Sequence, residues 1–131
     1  MSYNDFTEMP VWQLAIEIVG DVYKLSEKLP KKEDYALCGQ MRTAAISIAG
    51  NIAEGFGRNH TKDKMNFYFF SRGSSFEEIS HLLCGNKVGY FTKEEVNPIN
   101  DKCRQVIEEL NKMIKTLTRN NNFLSQPQPQ P

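Results

Sequence analysis

The sequence has no surplus of charge of either sign and no long apolar run. Its 131 residues contain 16 Lys and Arg against 16 Asp and Glu, so the formal net charge is zero. This balance argues against a polybasic protein that coats nucleic acid and against an acidic disordered chain. No segment has ~18 uncharged apolar residues, so no membrane span is expected. The opening residues, MSYNDFTEMP, carry acids where a signal peptide has bases, which predicts a cytoplasmic location.

Cysteine is also scarce. The three cysteines, Cys38, Cys84 and Cys103, are odd in number, far apart and outside any CxxC pair. Neither a disulfide framework nor a zinc site is therefore expected. The chain length fits one domain with one core.

Helical periodicity dominates the rest, and no segment alternates with the period of two that is typical of a strand. Pro10 suits a first helical turn, and Thr92 with Glu95 forms a capping box before the last helix. The pattern predicts four helices, at about 10–29, 34–54, 61–88 and 93–118. Short connections then predict an all-α, antiparallel up-down-up-down four-helix bundle over residues 1–119. The Pro/Gln-rich segment 120–131 is predicted to be a disordered tail.

Helix 1 carries two parallel apolar stripes. The first consists of Val11, Ala15, Ile18, Val22 and Leu25. The second consists of Trp12, Ile16, Val19 and Tyr23. Either the whole helix lies deep in its own core, or the second stripe serves a subunit contact.

Glycines and aromatic residues shape the expectations for helices 2 and 3. Gly55 and Gly57 are predicted to stop helix 2, because glycine adopts the left-handed cap conformation at little cost. Gly73 lies inside helix 3, where glycine costs ~1 kcal/mol relative to alanine, and it therefore predicts the close packing of another helix. The inward side chains of helix 3 are predicted from spacing to be Phe67, Phe70, Ser74, Ile79, Leu82 and Leu83.

Polar residues punctuate helix 2 at Gln40, Asn51 and Glu54. Asn51 and Glu54 are one turn apart and share a face near the helix end. Because buried polar groups need partners, we predict that these residues form hydrogen bonds that hold the end of helix 2 in place, an arrangement that we call the clamp. In it Glu54 accepts a hydrogen bond from Arg58, from Ser74 or from loop N–H groups. Contact with a ligand is the alternative interpretation.

Catalysis and metal binding have little support. A di-iron bundle needs a Glu-x-x-His step on two helices, and only Glu78 to His81 supplies one. The segment Gly55–Arg58 follows a helix, whereas phosphate-binding loops follow a strand. No nucleophile elbow surrounds any serine. We therefore predict a non-enzymatic protein without metal or cofactor. The alternative is a metal-dependent enzyme that uses Glu54, Glu78 and His81 in the bundle interior.

Basic residues gather around helix 2, the loop after it and helix 3. Residues 31–65 contain six bases and four acids, whereas residues 1–30 contain two bases and five acids. A basic face is the electrostatic footprint of a nucleic-acid-binding protein. An ordinary solvated surface is the alternative. The candidates for contact with RNA, DNA or a protein partner are Arg42, Arg58, Lys62, Lys64 and Arg72.

One segment is specific enough to indicate a family. The run NIAEGFGR at 51–58, preceded by Gln40-Met41-Arg42 and Ser47-Ile48, resembles the core signature of bacterial four-helix bundle proteins encoded in 23S rRNA intervening sequences. The resemblance covers about residues 6–118. Weaker matches to the same family are Trp12, Leu29-Pro30, Gly73-Ser74, Glu77 or Glu78, and Gly89-Tyr90.

The resemblance carries implications for function. The family includes the accessory protein of diversity-generating retroelements, a ring-shaped homopentamer that binds a reverse transcriptase and nucleic acid through basic surfaces. It thus implies a non-enzymatic homo-oligomer, with a pentamer expected, that acts as a nucleic-acid- or protein-binding accessory or scaffold. Two departures argue against strong nucleic-acid binding, because affinity rises with the number of phosphates neutralised. These are Thr43, where the family often has arginine, and the neutral charge.

Overall fold

The computed structural model describes residues 2–125, and side chains within 2–120. It contains four helices and no strand in that part of the chain: α1 Pro10–Ser26, α2 Leu37–Phe56, α3 Thr61–Lys87 and α4 Lys93–Ser125. Short 3-10 helices lie at Phe6–Glu8 and Lys31–Glu33. The predicted all-α class is confirmed.

Contacts between neighbouring helices show how the chain runs. Ser47 on α2 meets Ser74 on α3, whereas Ile48, one residue further on, meets the earlier Ser71. Lys28 at the end of α1 pairs with Glu95 at the start of α4. Lys102, one to two turns further along α4, pairs with Asp21 on α1 at 2.7 Å. Residue numbers therefore rise on one helix as they fall on its neighbour, as in the predicted antiparallel bundle.

Helix boundaries agree with the capping signals and differ elsewhere. The capping box forms as predicted: the Thr92 N–H donates to Glu95 Oε1 at 2.9 Å, and the Glu95 N–H donates to Thr92 Oγ1 at 3.2 Å. Helix α1 ends at Ser26 and α2 begins at Leu37, three residues inside the predicted limits. Helix α4 continues to Ser125, into the segment predicted as tail, and 126–131 lie outside the described residues.

The core is built from the first apolar stripe of α1 and from matching stripes on the other helices. Its largest fully buried apolar side chains are Ile18, Val22, Met41, Ile48, Ile52, Leu82, Val96, Val106 and Leu110. The second stripe of α1 is divided: Trp12 and Val19 are half-buried and pack against the core, whereas Ile16 is 44% exposed and Tyr23 38% exposed. Only Ile16 and Tyr23 are therefore available for a contact surface.

Helix α3 buries a face different from the predicted one. Phe70 is 59% exposed and Leu83 49% exposed, so their predicted inward orientation is wrong, whereas Ile79 and Leu82 are buried as predicted. The buried positions are Tyr68, Ser71, Ser75, Glu78, Ile79, Leu82 and Gly85. Serine on this face leaves room for α2, and Ser71 Oγ donates to the Ile48 carbonyl at 2.7 Å. Gly85 leaves room for the ring of Phe91. Close approach of two helices, rather than hydrophobicity, selects this face.

The glycines play other roles than predicted. Gly55 lies inside α2, and a Cβ there would stand 2.5 Å from Cε1 of Tyr68. Gly57 ends the helix in a right-handed conformation, with φ −77°, so its predicted left-handed cap is wrong. Nothing lies within 4 Å of a Cβ built at Gly73, so no helix of the same chain packs against it. In the described chain only Gly89, with φ +89°, has a positive φ among the glycines.

Candidate interaction site at the α2–α3 corner

The end of α2 is fixed by two residues from α3. The ring of Tyr68 packs on the bare backbone of Gly55. Lys64 Nζ donates to the Gly55 carbonyl at 3.1 Å and to the Phe56 carbonyl at 2.9 Å. These carbonyls belong to the last turn of α2, where intrahelical donors run out, and the Gly55 carbonyl also accepts from the Arg58 N–H at 3.3 Å. Partial burial lowers the pKa of Lys64. Lys64, predicted as a binding residue, therefore serves as a helix cap.

In the predicted clamp, Asn51 forms hydrogen bonds in a network that ties α2 to α3, and Glu54 accepts from Arg58 as predicted, but in a separate, exposed contact. Asn51 Nδ2 donates to the Ser47 carbonyl and to Ser47 Oγ, both at 2.9 Å. Ser47 Oγ lies 2.8 Å from Ser74 Oγ, which links α2 to α3. Glu54 instead faces solvent and accepts from Arg58 at 3.2 Å. Gln40 is exposed in the first turn of α2 and lies outside this network.

The predicted basic residues do not form one cluster. Arg58 lies over the ring of Phe67, with its guanidinium carbon 4.7 Å from the ring centroid. Arg72 lies 4.9 Å over Phe69 and donates to Asn111 Oδ1 on α4 at 2.8 Å. Lys62 is exposed in the first turn of α3. Arg58 and Lys62 thus flank the loop at the corner, and Arg72 lies about three turns further along α3.

Arg42 lies elsewhere. It donates to Ser26 Oγ at 2.9 Å and stacks on Tyr23 at 4.7 Å, so it ties α1 to α2. Sixteen residues separate it from Arg58, which is about 24 Å along a helix. The structure therefore removes Arg42 from the corner.

Exposed apolar side chains form a regular stripe on the outer face of α3. Phe69, Phe76 and Leu83 follow one another at intervals of seven residues, and each is more than one third exposed. Gly73 and Ser80, also exposed, lie between them. We call these five residues the knob stripe.

The outer face of α2 carries mostly small side chains, in contrast to the large ones on α3. Residues recur there at alternating steps of four and three, and we call them the hole stripe: Gly39, Thr43, Ile46, Gly50, Ala53 and Gly57. All of them are small except Ile46, which is 50% exposed. A Cβ at Gly50 would meet no atom within 4 Å. The part of the chain that is described therefore offers no packing reason for this glycine.

Comparison with known proteins decides the family. The sequence pattern of the family described as 23S rRNA-intervening sequence protein matches residues 7–112. The chain belongs to this family. The resemblance seen in the NIAEGFGR segment is thereby confirmed, and the match covers all of α1, α2 and α3 and most of α4.

A solved structure supports the fold of this intervening-sequence family member. It is the crystal structure of a protein of unknown function from the S23 ribosomal protein family of Bacteroides thetaiotaomicron VPI-5482. The TM-score is 0.75 at 21% identity, over 80% of this chain and 98% of that one. At this identity the likeness concerns the fold alone. No curated protein matches the chain.

The intervening-sequence protein does not assemble the alternative metal site. Glu54 is exposed beside Arg58, and His81 Nε2 lies 3.4 Å from Glu77, not from Glu78. Glu78 is fully buried, and neither of its carboxyl oxygens has a partner within the described residues. No group of three or more His, Cys, Asp or Glu there could hold a metal ion. None of the helices described for this family member is long and apolar enough to cross a membrane.

Tyr68 is a buried residue of this family member that no sequence motif marks, whereas Glu78 already belongs to the alternative metal site. Tyr68 is 4% exposed, and burial raises the pKa of its hydroxyl. Burial, together with the nearby charge of Glu77, raises the pKa of Glu78 to about 9, so the acid is neutral at pH 7. Burial likewise raises the pKa of Cys103 on α4 to about 12. The one sequence signal for Tyr68 was the glycine at position 55, which was interpreted as a helix stop.

Proposed function

We propose that this family member is a non-enzymatic interaction module that assembles with copies of itself and presents the α2–α3 corner to RNA or to a partner protein. The observation that most directly supports this proposal is the exposed knob stripe. Helix α3 buries two serines and a glutamate while it exposes Phe69, Phe76 and Leu83. An exposed apolar stripe of this size on a small domain is typical of an interaction surface.

The knob stripe and the hole stripe match in period. Phe69, Phe76 and Leu83 recur about every 10 Å along α3, and Thr43, Gly50 and Gly57 recur at the same interval along α2. Large side chains on one helix can therefore enter gaps on a second helix, as in knobs-into-holes packing. A glycine in a helix interior costs about 1 kcal/mol, and Gly50 becomes explicable if another copy fills the space.

A contact between two different faces is head-to-tail, and such contacts form a ring when the rotation from one copy to the next closes. The two stripes lie on neighbouring helices of the bundle. Each copy can therefore insert its knob stripe into the hole stripe of the next copy. The family resemblance makes a ring of five the expected assembly. In this scheme the half-exposed stripe of α1, with Ile16 and Tyr23, is a second surface for a partner.

Sedimentation and light scattering at micromolar concentration test the assembly. The wild-type chain is expected to form a closed oligomer, and Phe76→Glu is expected to be monomeric, because a carboxylate would be buried in the contact. Val88→Glu is the matched control, since Val88 is 66% exposed but lies outside the knob stripe. Gly50→Leu should also abolish assembly while the fold persists. A monomeric wild-type chain, or equal loss in Phe76→Glu and Val88→Glu, contradicts the proposal.

RNA is the second candidate partner. The support for it is the guanidinium group of Arg58, which stacks on an aromatic ring at the α2–α3 corner. Arg58, about half exposed, lies over Phe67, and Phe67 meets Phe70 edge to face at 5.9 Å. Exposed rings beside cations suit single-stranded RNA, which stacks its bases and pairs its phosphates.

The salt dependence of RNA binding tests the corner. Arg58→Glu with Lys62→Glu should lower affinity and reduce the slope of log K against log salt by about 1.4, at ~0.7 per lost phosphate contact. Lys31→Glu with Lys32→Glu makes the same change of charge at a distant site and should leave the slope nearly unchanged. Equal effects of both pairs would refute a role of the corner. No binding of RNA at low salt would leave only protein partners.

A further inference from the structure

A cleft of about 380 Å³ lies between the N-terminal segment, the start of α3 and the second half of α4. This volume is within the usual range for small-ligand sites. Its apolar lining comes from three separate parts of the chain, and includes Met9, Val11, Tyr68, Met113 and Leu117. The charged residues in its wall are Lys64, Glu109 and Lys112.

Two hydrogen-bond donors in the cleft have no protein acceptor. Tyr68 is 4% exposed, and its hydroxyl, which still touches solvent in the cleft, has no hydrogen-bond partner among the described residues. Lys64 uses two of its three N–H groups on the carbonyls of Gly55 and Phe56. No carboxylate of the described chain lies within 4 Å of its ammonium group. One phenol O–H and one ammonium N–H therefore remain unused in the same cleft.

The other two charges of the cleft compensate each other. Lys112 Nζ lies 3.5 Å from Glu109 Oε1. The net charge left on the wall is thus the single positive charge of Lys64. Donors without a protein acceptor and an uncompensated cation both favour a ligand that carries an anionic acceptor.

We propose that this cleft binds a small amphipathic carboxylate, whose carboxylate accepts from the Tyr68 hydroxyl and from Lys64. Its apolar chain packs against Met9, Val11 and Met113, which provide flexible thioether and branched surfaces. The proposal is independent of self-assembly and of RNA binding, because none of these residues belongs to the knob stripe, the hole stripe or the corner pair Arg58 and Lys62.

Methyl NMR with octanoate as the probe tests the site directly. In the full chain labelled at methionine methyls, Met9 and Met113 should shift saturably on titration, while Met41, fully buried in the core, should not. Octanol, which lacks the anion, should bind at least about tenfold more weakly, and octylamine should not bind. Equal shifts with octanoate and octanol, or shifts confined to other methionines, would overturn the proposal.

A single-atom change separates the hydroxyl from the ring. Tyr68→Phe keeps the ring on Gly55 and should weaken octanoate binding about tenfold, the usual effect of losing a hydrogen bond to a charged group, without changing octanol binding. Tyr90→Phe is the control, because the Tyr90 hydroxyl donates to Glu33 at the other end of α3. Unchanged octanoate affinity in Tyr68→Phe, or an equal loss in Tyr90→Phe, would refute the assignment.

Discussion

Replacing Glu78 with methionine is expected to raise the free energy of unfolding by about 3–5 kcal/mol at pH 8, and by much less at pH 5. Glu78 has no exposed surface, and its carboxyl oxygens make no well-formed hydrogen bond with a described residue. The backbone of Ala45 lies close enough to lower the pKa of Glu78, but burial has the larger effect. Methionine has a similar length and volume but nothing to ionise. Replacement of a buried ionisable group by a well-packed apolar one is commonly stabilising.

The pH dependence follows from the pKa of Glu78, which burial raises to about 9 from the usual value of 4.5. The folded chain therefore holds a proton that the unfolded chain releases. The contribution of this proton to stability is complete below about pH 4.5 and is lost progressively as the pH rises towards 9. At about 1.4 kcal/mol per pH unit, the wild-type chain should lose about 4 kcal/mol between pH 5 and pH 8.

Urea unfolding at pH 5, 6, 7 and 8, at one protein concentration, measures this effect. Glu78→Gln should also flatten the pH dependence, although its buried amide keeps an unmet hydrogen-bonding requirement and makes it less stable than the methionine variant. Glu108→Gln is the matched control, because Glu108 is exposed on α4 and its replacement should change stability by no more than about 0.5 kcal/mol. A wild-type curve as flat as that of Glu78→Met would show that Glu78 is not a buried neutral acid.

The four helices were predictable because their signals are local. The capping box at Thr92 and Glu95 and the spacing of the first stripe of α1 depend only on neighbouring residues. The inward face of α3 was not predictable in the same way. Its phenylalanines outrank Ser71 and Ser75 in hydrophobicity, but Ser71 lies so close to α2 that its hydroxyl donates to the Ile48 carbonyl. The approach of α2 to α3 is a property of the whole bundle.

The candidate site likewise combines features that the sequence predicts with features that depend on the folded bundle. The sequence identified cations at the right positions along the chain, but it could not identify their acceptors. Lys64 turned out to cap α2 and Arg42 to bridge two helices, because each has oxygen acceptors that only the fold brings near. Arg58 and Lys62 remain candidates for partner contact. The distinction between a helix stop and a ring contact at Gly55 likewise required the position of Tyr68.

Two identical substitutions on α2 are expected to change stability in opposite directions. Gly55→Ala should lower the free energy of unfolding by about 1–2 kcal/mol, because overpacking costs about 1–3 kcal/mol and alanine returns up to about 1 kcal/mol of helix propensity. Its Cβ would lie 2.5 Å from Cε1 and 3.0 Å from Cδ1 of Tyr68. Gly50→Ala should raise stability by up to about 1 kcal/mol, since nothing lies within 4 Å of its Cβ.

Thermal and urea unfolding at concentrations that keep the chain monomeric measure both changes, so that any contact between copies at Gly50 does not contribute. A double-mutant cycle then identifies the cause. If the Tyr68 ring is what excludes a methyl group at position 55, the alanine should cease to be destabilising once the ring is absent in Tyr68→Ala, with a coupling energy of about 1–3 kcal/mol. Equal destabilisation in both backgrounds would mean that Gly55 is required for the backbone of α2 and not for the ring. In that case the backbone geometry of α2 would explain why the family motif has glycine at position 55, and the shape of the cleft beside Tyr68 would not depend on Gly55.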